Sequence, residues 1–295
     1  MHSEFIINGK VFSWGVRTYI MGILNLTPDS FSGDGLFTGQ DDPVEAALNQ
    51  ARQYVTAGVD IIDVGGESTR PGAQYVDEQE EVHRVVPVIQ RLAAEFDIIL
   101  SIDTYKAKVA DAAISVGANM VNDVWGLNAD PDLARVVAKW RTPIILMHNR
   151  SSWAHAEIKE HLGGRYVGVP YDNLINDIKS ELLDSVRIAE NAGIANEKII
   201  LDPGIGFGKT VEQNLELLNR LDEIRALGYP ILIGPSRKSF IGYTLDVAPN
   251  DRLEGTAAAV AVGISRGADI VRVHDVSFMK RVACMTDAIV RRVQQ

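Results

Sequence analysis

The chain has 295 residues, 46% of them hydrophobic and 23% charged, with 29 basic and 39 acidic side chains for a formal net charge of −10. The apolar share allows a sizeable core and argues against disorder, while the acidity argues against a general nucleic-acid binder, which needs a basic footprint. The single cysteine, Cys284, excludes a disulfide framework and a cysteine-based zinc site, and agrees with a reducing, cytoplasmic setting.

Phe5–Tyr19 alternates apolar and polar residues around Asn8-Gly9, a two-residue turn signal, and predicts an N-terminal β-hairpin. Glu4 and Asn8 interrupt any signal-like pattern there. Eight short apolar runs follow: Tyr19–Leu26, Val59–Val64, Ile98–Ile102, Met120–Val124, Pro143–Met147, Ile199–Leu201, Pro230–Ile233 and Ile270–Val273. Several are nearly continuous in Val, Ile, Leu and Met, the pattern of parallel strands buried on both faces. Between them lie segments with helical spacing: Pro43–Ala57, Lys106–Val116, Asp132–Lys139, Leu174–Asn191, Glu212–Leu227, Leu253–Arg266 and Met279–Val293. The first opens on Asp42 as N-cap with Pro43 at the first helical position. Gly58, Gly117, Gly193, Gly228 and Gly267 each fall after a helix and before a strand, where a left-handed residue ends a helix. No run approaches the roughly 18 apolar residues of a membrane span.

Eight βα units in about 250 residues match an α/β protein of the (β/α)8 TIM-barrel class, preferred here over a doubly wound open sheet. No linker or composition break divides the chain. It reads as a single domain over 1–295, with a hairpin at 1–19 and the barrel at 19–295.

In such a barrel chemistry collects where the strands end. Asp103, Asn122 and Asp202 end the third, fourth and sixth runs, and acidic and amide groups suit a flat heterocycle with several N–H donors. Arg70, Lys238, Arg272 and His274 bring positive charge to the same rim, suited to phosphate or carboxylate. Lys238-Ser239 also opens a segment whose helix-start N–H groups would attract an anion. The loops Thr27–Gly35 and Glu67–Ala73, rich in Gly, Pro, Ser and Asp, have the composition of mobile lids.

These residues form recognisable motifs. Met21-Gly22-Ile23-Leu24-Asn25-Leu26-Thr27-Pro28-Asp29-Ser30-Phe31-Ser32 closely resembles the first signature of the dihydropteroate synthases. Ile61-Ile62-Asp63-Val64-Gly65-Gly66-Glu67-Ser68-Thr69-Arg70-Pro71-Gly72 resembles the second. Ser101-Ile102-Asp103-Thr104, Asn122-Asp123, Asp202-Pro203-Gly204-Ile205-Gly206-Phe207, Ser236-Arg237-Lys238-Ser239 and Arg272-Val273-His274 follow in the family's order. Two long signatures and five ordered short ones are far more specific than any lone motif.

The resemblance implies condensation of a dihydropterin pyrophosphate with p-aminobenzoate, giving dihydropteroate and pyrophosphate in folate biosynthesis. It implies that Asp202 takes the pterin 2-amino and N3–H groups, Asn122 the adjacent edge, Asp103 the N8 side and Lys238 O4 and N5. Arg272, His274 and Thr69 would hold the pyrophosphate, with Arg70 and Met147 also binding substrate. Asn25 would be the ligand of a Mg²⁺ cofactor. Phe207, Pro71 and Ser239 would shape the p-aminobenzoate pocket, with Phe31 closing over it. The family usually forms homodimers, and its partners are small molecules rather than nucleic acid or membrane. The chain departs from the family's pattern in two places. The first loop reads Ser32-Gly33-Asp34-Gly35, with Asp and Gly exchanged, and 149–171 carries Trp153, His155 and His161 in place of the usual residues. A pterin-dependent methyltransferase is the nearest rival; it would not need the Ser-Thr-Arg-Pro loop or Lys-Ser after the seventh strand.

Other features have plainer readings. Gly206-Phe207-Gly208-Lys209-Thr210 is not a phosphate loop, because Pro203 stands where that pattern needs Gly, so Lys209 reads as loop or rim. His148, His155 and His161 fit no zinc spacing and read as surface or loop residues. Cys284 reads as a small core hydrophobe. Asp77–Glu81 and Asp41-Asp42 read as solvated helix starts, and Asp63, Asp123 and Asp275 as members of rim networks.

Overall fold

In a computed structural model, residues 4–26, 42–69, 73–151, 156–159, 161–166 and 169–291 are described. Strands β1 (Glu4–Ile7) and β2 (Lys10–Ser13) form the expected hairpin. Asn8 and Gly9 have φ of 46° and 75°, the paired left-handed torsions that a two-residue turn demands.

The remaining elements follow in order: β3 (Tyr19–Asn25), α1 (Pro43–Thr56), β4 (Ile61–Gly65), α2 (Glu78–Glu95), β5 (Ile99–Asp103), α3 (Ala107–Ser115), β6 (Met120–Asp123), α4 (Leu133–Trp140) and β7 (Ile144–Met147). A second hairpin, β8 (Ala156–Lys159) and β9 (Gly163–Tyr166), precedes α5 (Leu174–Asn191) and β10 (Ile199–Asp202). The chain ends with α6 (Val211–Asn219), α7 (Leu221–Arg225), β11 (Leu232–Ile233), α8 (Ser239–Leu245), α9 (Leu253–Ser265), β12 (Ile270–Val273) and α10 (Val276–Val290).

Eight strands pair in parallel in the order β10-β7-β6-β5-β4-β3-β12-β11, and a parallel bridge between Leu201 and Ile231 joins the two ends. This is the (β/α)8 barrel that the eight apolar runs predicted. The five glycines between helix and strand all have positive φ, from 79° at Gly58 to 125° at Gly117.

Each strand sends at least one apolar side chain into a layer at the N-terminal end of the barrel: Tyr19 and Met21 from β3, then Ile61, Ile99, Met120, Ile145, Ile200, Leu232 and Ile270. The hairpin lays Phe5, Ile7, Phe12 and Trp14 against that layer, and all four are buried. Carboxylates fasten this plug. Asp269 accepts from Gly15 N at 3.0 Å, and Asp287 accepts from Thr18 N at 2.7 Å and Thr18 Oγ1 at 2.8 Å. The end of the barrel left for chemistry is the other one.

Several local expectations change. Helix α2 was not among the predicted helices, yet its Val85, Val88, Ile89 and Leu92 recur at helical spacing on a buried face. Asp77 caps it, accepting from the backbone N–H of Gln79 and Glu80. Its first turn is not wholly solvated, because Glu81 is buried and paired with Lys106 Nζ at 2.6 Å. The predicted helix Glu212–Leu227 is broken at Arg220, whose ψ is 22°, and Leu221 and Ile224 turn into the core. Cys284 is exposed, so it is not a core residue. Among the described residues, no helix is long and apolar enough to cross a membrane.

Candidate functional site

A cavity of about 350 Å³ opens at the C-terminal ends of the barrel strands. Every described candidate lines it: Asn25, Thr69, Asp103, Asn122, Met147, Asp202, Phe207, Lys238, Ser239, Arg272 and His274. They come from separate segments of the chain and meet because parallel strands end on one rim. Phe31, Arg70, Pro71, Asp34, Trp153 and His155 lie outside the described residues. His161 is described, and it is exposed in the turn of the β8–β9 hairpin, as expected.

The floor of the cavity is a charged network. Arg272 Nε lies 2.6 Å from Asp63 Oδ2, and its Nη2 lies 2.6 Å from Asp103 Oδ2. Asn122 Nδ2 donates to Asp63 Oδ2 at 3.0 Å, which leaves its amide oxygen as an acceptor for other groups. Asp63 therefore belongs to a network, as expected, but a fully buried one that orients two neighbours rather than an open rim. Asp202 Oδ1 accepts from Gly204 N at 2.7 Å, so one carboxylate oxygen is fixed.

Burial raises both floor acids. It pushes Asp103 up to about 7, with the Arg272 charge opposing and Asp63 adding repulsion. It pushes Asp202 up to about 6 against the Gly204 N–H bond and the Lys238 charge. Asp123 also rises through burial, to about 6, but its oxygens accept from Trp125 N at 2.8 Å and Leu127 N at 2.6 Å, so it shapes the loop after β6.

One wall is apolar, with Val124, Met147 and Phe207 packed together and Trp125 against them. Lys238 Nζ stands 3.9 Å from the Phe207 ring centroid, where an ammonium is attracted to the aromatic face. Its stem crosses Gly206 closely enough that a Cβ there would lie 2.9 Å from Lys238 Cδ. Opposite, His274 Nδ1 is 3.0 Å from Ser236 Oγ, and Arg237 pairs with Asp275 at 2.8 Å in the expected rim network.

Sequence reading missed several residues around the cavity. Lys209 and His148 are buried, not rim or surface groups: Lys209 Nζ lies 3.0 Å from His148 Nδ1. Burial pushes Lys209 down to about 7 and His148 down to about 4. Arg165 of the β8–β9 hairpin lines the cavity mouth, and no periodicity in 149–171 signals it. Lys106 joins Glu67 at 2.7 Å, Glu81 at 2.6 Å and the Val76 carbonyl at 2.6 Å, tying the two ends of the segment that bears Thr69. Its ammonium is held above the ordinary lysine value, because Glu67 and Glu81 outweigh the opposing effect of burial.

The profile of the family described as "Pterin binding enzyme" matches residues 21–274. The dihydropteroate synthase of Clostridium beijerinckii is 52% identical over 97% of this chain and 99% of its own length. A Clostridium difficile dihydropteroate synthase, solved in the presence of pteroic acid, superposes with a TM-score of 0.86 at 50% identity, covering 95% of this chain and all of that one. The Xanthomonas albilineans dihydropteroate synthase, solved with 4-aminobenzoic acid, superposes at 0.87 with 36% identity over 98% of each chain. The relatives bear the synthase name, not that of the methyltransferase rival. With the matching barrel, signatures and near-complete coverage, this chain belongs to the pterin-binding enzymes, in the dihydropteroate synthase family.

Proposed function

We propose that the acid floor binds the dihydropterin pyrophosphate and that the Phe207 wall receives p-aminobenzoate. The observation that carries this reading is the pair of carboxylates on one cavity floor, the buried Asp202 and the partly buried Asp103, with Asn122, beside a lysine that spans to an aromatic wall. In this reading Asp202 accepts from the pterin 2-amino and N3–H groups, Asn122 meets the adjacent edge, Asp103 faces N8, and Lys238 reaches O4 and N5. Arg272, His274 and Thr69, with Arg70, hold the pyrophosphate. Ser239 borders the arylamine beside Phe207, joined by Pro71 and Phe31, and Met147 adds apolar contact.

The reaction breaks the carbon–oxygen bond at the pterin methylene, and the electron pair leaves with the pyrophosphate. Carboxylates at Asp103 and Asp202 favour the positive charge that spreads into the ring, and cationic side chains favour the departing anion. The arylamine nitrogen forms the new carbon–nitrogen bond and releases a proton. It is nucleophilic enough to need no strong base, and no side chain is assigned that role.

The residues present suit Mg²⁺. Asn25 ends β3 with its amide oxygen facing Asp103 across Gly65, where a Cβ would lie 3.6 Å from both Asn25 Oδ1 and Asp103 Oδ2. The Asn25 amide oxygen is a hard donor, of the kind that binds this ion together with substrate phosphates. Among the described residues no group of three or more His, Cys, Asp or Glu could hold a metal ion. When bound, Mg²⁺ would neutralise charge on the leaving group.

Pyrophosphate release from the two substrates reads out this assignment. Arg272→Ala should raise KM for the pterin substrate about 10-fold or more, with a smaller change for p-aminobenzoate, since a charge-assisted contact is worth about 1.5–3 kcal/mol. It also strips the buried Asp63 of its partner, costing stability on the order of 3–5 kcal/mol. Thermal unfolding followed in parallel separates the two effects. Equal changes in both KM values would remove Arg272 from the pyrophosphate site.

A pH dependence follows from the raised acids. The carboxylate form accepts ring N–H groups most strongly, with charge and with both oxygens, and it is lost as pH falls through the folded values near 7 and 6. The kcat/KM for the pterin substrate should therefore decline below about pH 7, and further as the second acid protonates. A profile flat to pH 5 would contradict the ionised-floor reading.

A homodimer is supported by Val262 on α9 and Met285, Ile289 and Val290 on the adjacent α10, which are between 43% and 64% exposed. An apolar face of this kind away from the cavity suits an isologous contact. Sedimentation equilibrium should give twice the chain mass, and Met285→Glu should return the monomer. A monomeric parent protein would refute the contact. The hairpin and barrel form one folding unit in this reading, supported by the Asp269 and Asp287 bonds to Gly15 and Thr18. The lone cysteine supports a cytoplasmic setting.

A further inference from the structure

The loop after β10 contains a buried cation with no part in the proposed chemistry. Lys209 turns inward and is 3% exposed. Its Nζ lies 3.0 Å from His148 Nδ1, 2.9 Å from the Gly204 carbonyl and 3.0 Å from the Phe207 carbonyl. An ammonium has three hydrogens and no acceptor, so these three partners use all of it. His148 Nδ1 must accept, which places the imidazole proton on Nε2, facing Glu181 Oε2 at 3.1 Å. Glu181 is in turn held by Arg150 Nε at 2.9 Å. Arg150, Glu181 and His148 thus stand in series behind Lys209, with His148 and Glu181 at ion-pair distance.

The loop backbone is shaped to this centre. Gly204, Gly206 and Gly208 have φ of 71°, 86° and 63°. A Cβ at Gly204 would come within 1.9 Å of the His148 carbonyl oxygen. These torsions turn the Gly204 and Phe207 carbonyls inward onto one nitrogen, while Phe207 packs its side chain against Val124 and Met147 beneath Lys238.

We propose that Lys209, oriented by His148, is a positioning residue: its ammonium is the internal template around which the loop sets the Phe207 ring, and through it Lys238, for the arylamine substrate. This rests on Phe207 being the arylamine wall. The Gly-Phe-Gly-Lys-Thr segment therefore has a use for its lysine that involves no phosphate. The two inward carbonyls favour the protonated form of this amine, against the burial that pushes it down to about 7.

The test is steady-state kinetics of Lys209→Met with pyrophosphate release as readout, alongside the dissociation constant of the pterin substrate measured without arylamine. KM for p-aminobenzoate should rise about 10- to 100-fold, the scale of a misplacement near 1 Å, with pterin binding changed less than about 3-fold. His148→Leu should move KM in the same direction. His148→Gln, whose side-chain oxygen can accept from Lys209 while its nitrogen faces Glu181, should stay near the parent value. If Lys209→Met does not fold, the His148 pair carries the test by itself. An unchanged KM in Lys209→Met or His148→Leu overturns the proposal, as does a parallel loss in pterin binding and arylamine KM. Phe207→Ala is the control for the underlying reading. If it leaves the arylamine KM unchanged, the wall assignment fails; if it raises KM while Lys209→Met does not, only the positioning role fails.

Discussion

Asp202→Asn is expected to lower kcat/KM for the dihydropterin substrate by about 10²- to 10⁴-fold, from two charge-assisted hydrogen bonds at about 1.5–3 kcal/mol each. The side chain is buried, and Oδ1 is already engaged by Gly204 N at 2.7 Å. An amide of the same size has one acceptor where the carboxylate has two. Either its NH2 faces the Gly204 N–H, or it faces the ring donors; one donor pair is opposed in both cases. A site built to hydrogen-bond its ligand penalises such mismatch strongly, because the groups left unpaired are dry. Calorimetric titration with the pterin substrate should show the same loss as the kinetics. A change smaller than about 10-fold would remove Asp202 from the ring-binding role.

Lys238→Ala should reduce kcat/KM by about 10²- to 10³-fold, the scale found when one preorganised electrostatic group is removed from a site. Two contributions are mixed in that number. The ammonium is lost from its position 3.9 Å over Phe207, and the stem is lost from the Gly206 backbone. Lys238→Met keeps most of the stem and isolates the charge. If Met restores most of the activity, Lys238 acts by packing; if Met is as poor as Ala, it acts by charge. Near-normal kcat/KM in Lys238→Ala would refute the assignment to the pterin.

The two substitutions differ in what they disturb. Asp202 sits at the end of a strand and is held by its own loop, so its replacement should leave the cavity shape intact. Lys238 precedes α8 and lies across the loop after β10, so its loss should be felt on both sides of the cavity. Comparing arylamine KM in the two variants therefore reports whether the floor and the wall are coupled.

Much of the architecture was legible because its signals are local. Asn8-Gly9 dictates a turn through two positive φ values that few other residue pairs accept. The apolar runs have the composition of strands covered on both faces, and eight of them with intervening helical spacing leave few topologies open. The strand-end residues were legible for the same reason: once the strands are parallel, their ends share one rim. Asp103, Asn122, Asp202 and Arg272 converge on one cavity although they span 170 positions of the chain.

What escaped reading depends on partners far apart in sequence. Lys209 and His148 are 61 residues apart, and Lys106 and Glu81 are 25 apart. A charged side chain is presumed solvated until a partner removes the cost of burial, and no local pattern announces that partner. Cys284 shows the reverse case: its helix is apolar enough to have hidden it, yet the packed face of α10 excludes it. The kink at Arg220 and the β8–β9 hairpin over the cavity mouth likewise lack a periodic signal. Composition and periodicity thus determined backbone torsion, strand number and the rim on which chemistry collects, since these follow from each residue's immediate neighbours. Which charges are buried, how each is compensated and which way each oxygen faces were decided only in the folded barrel, where electrostatic energy depends on distance through space rather than along the chain.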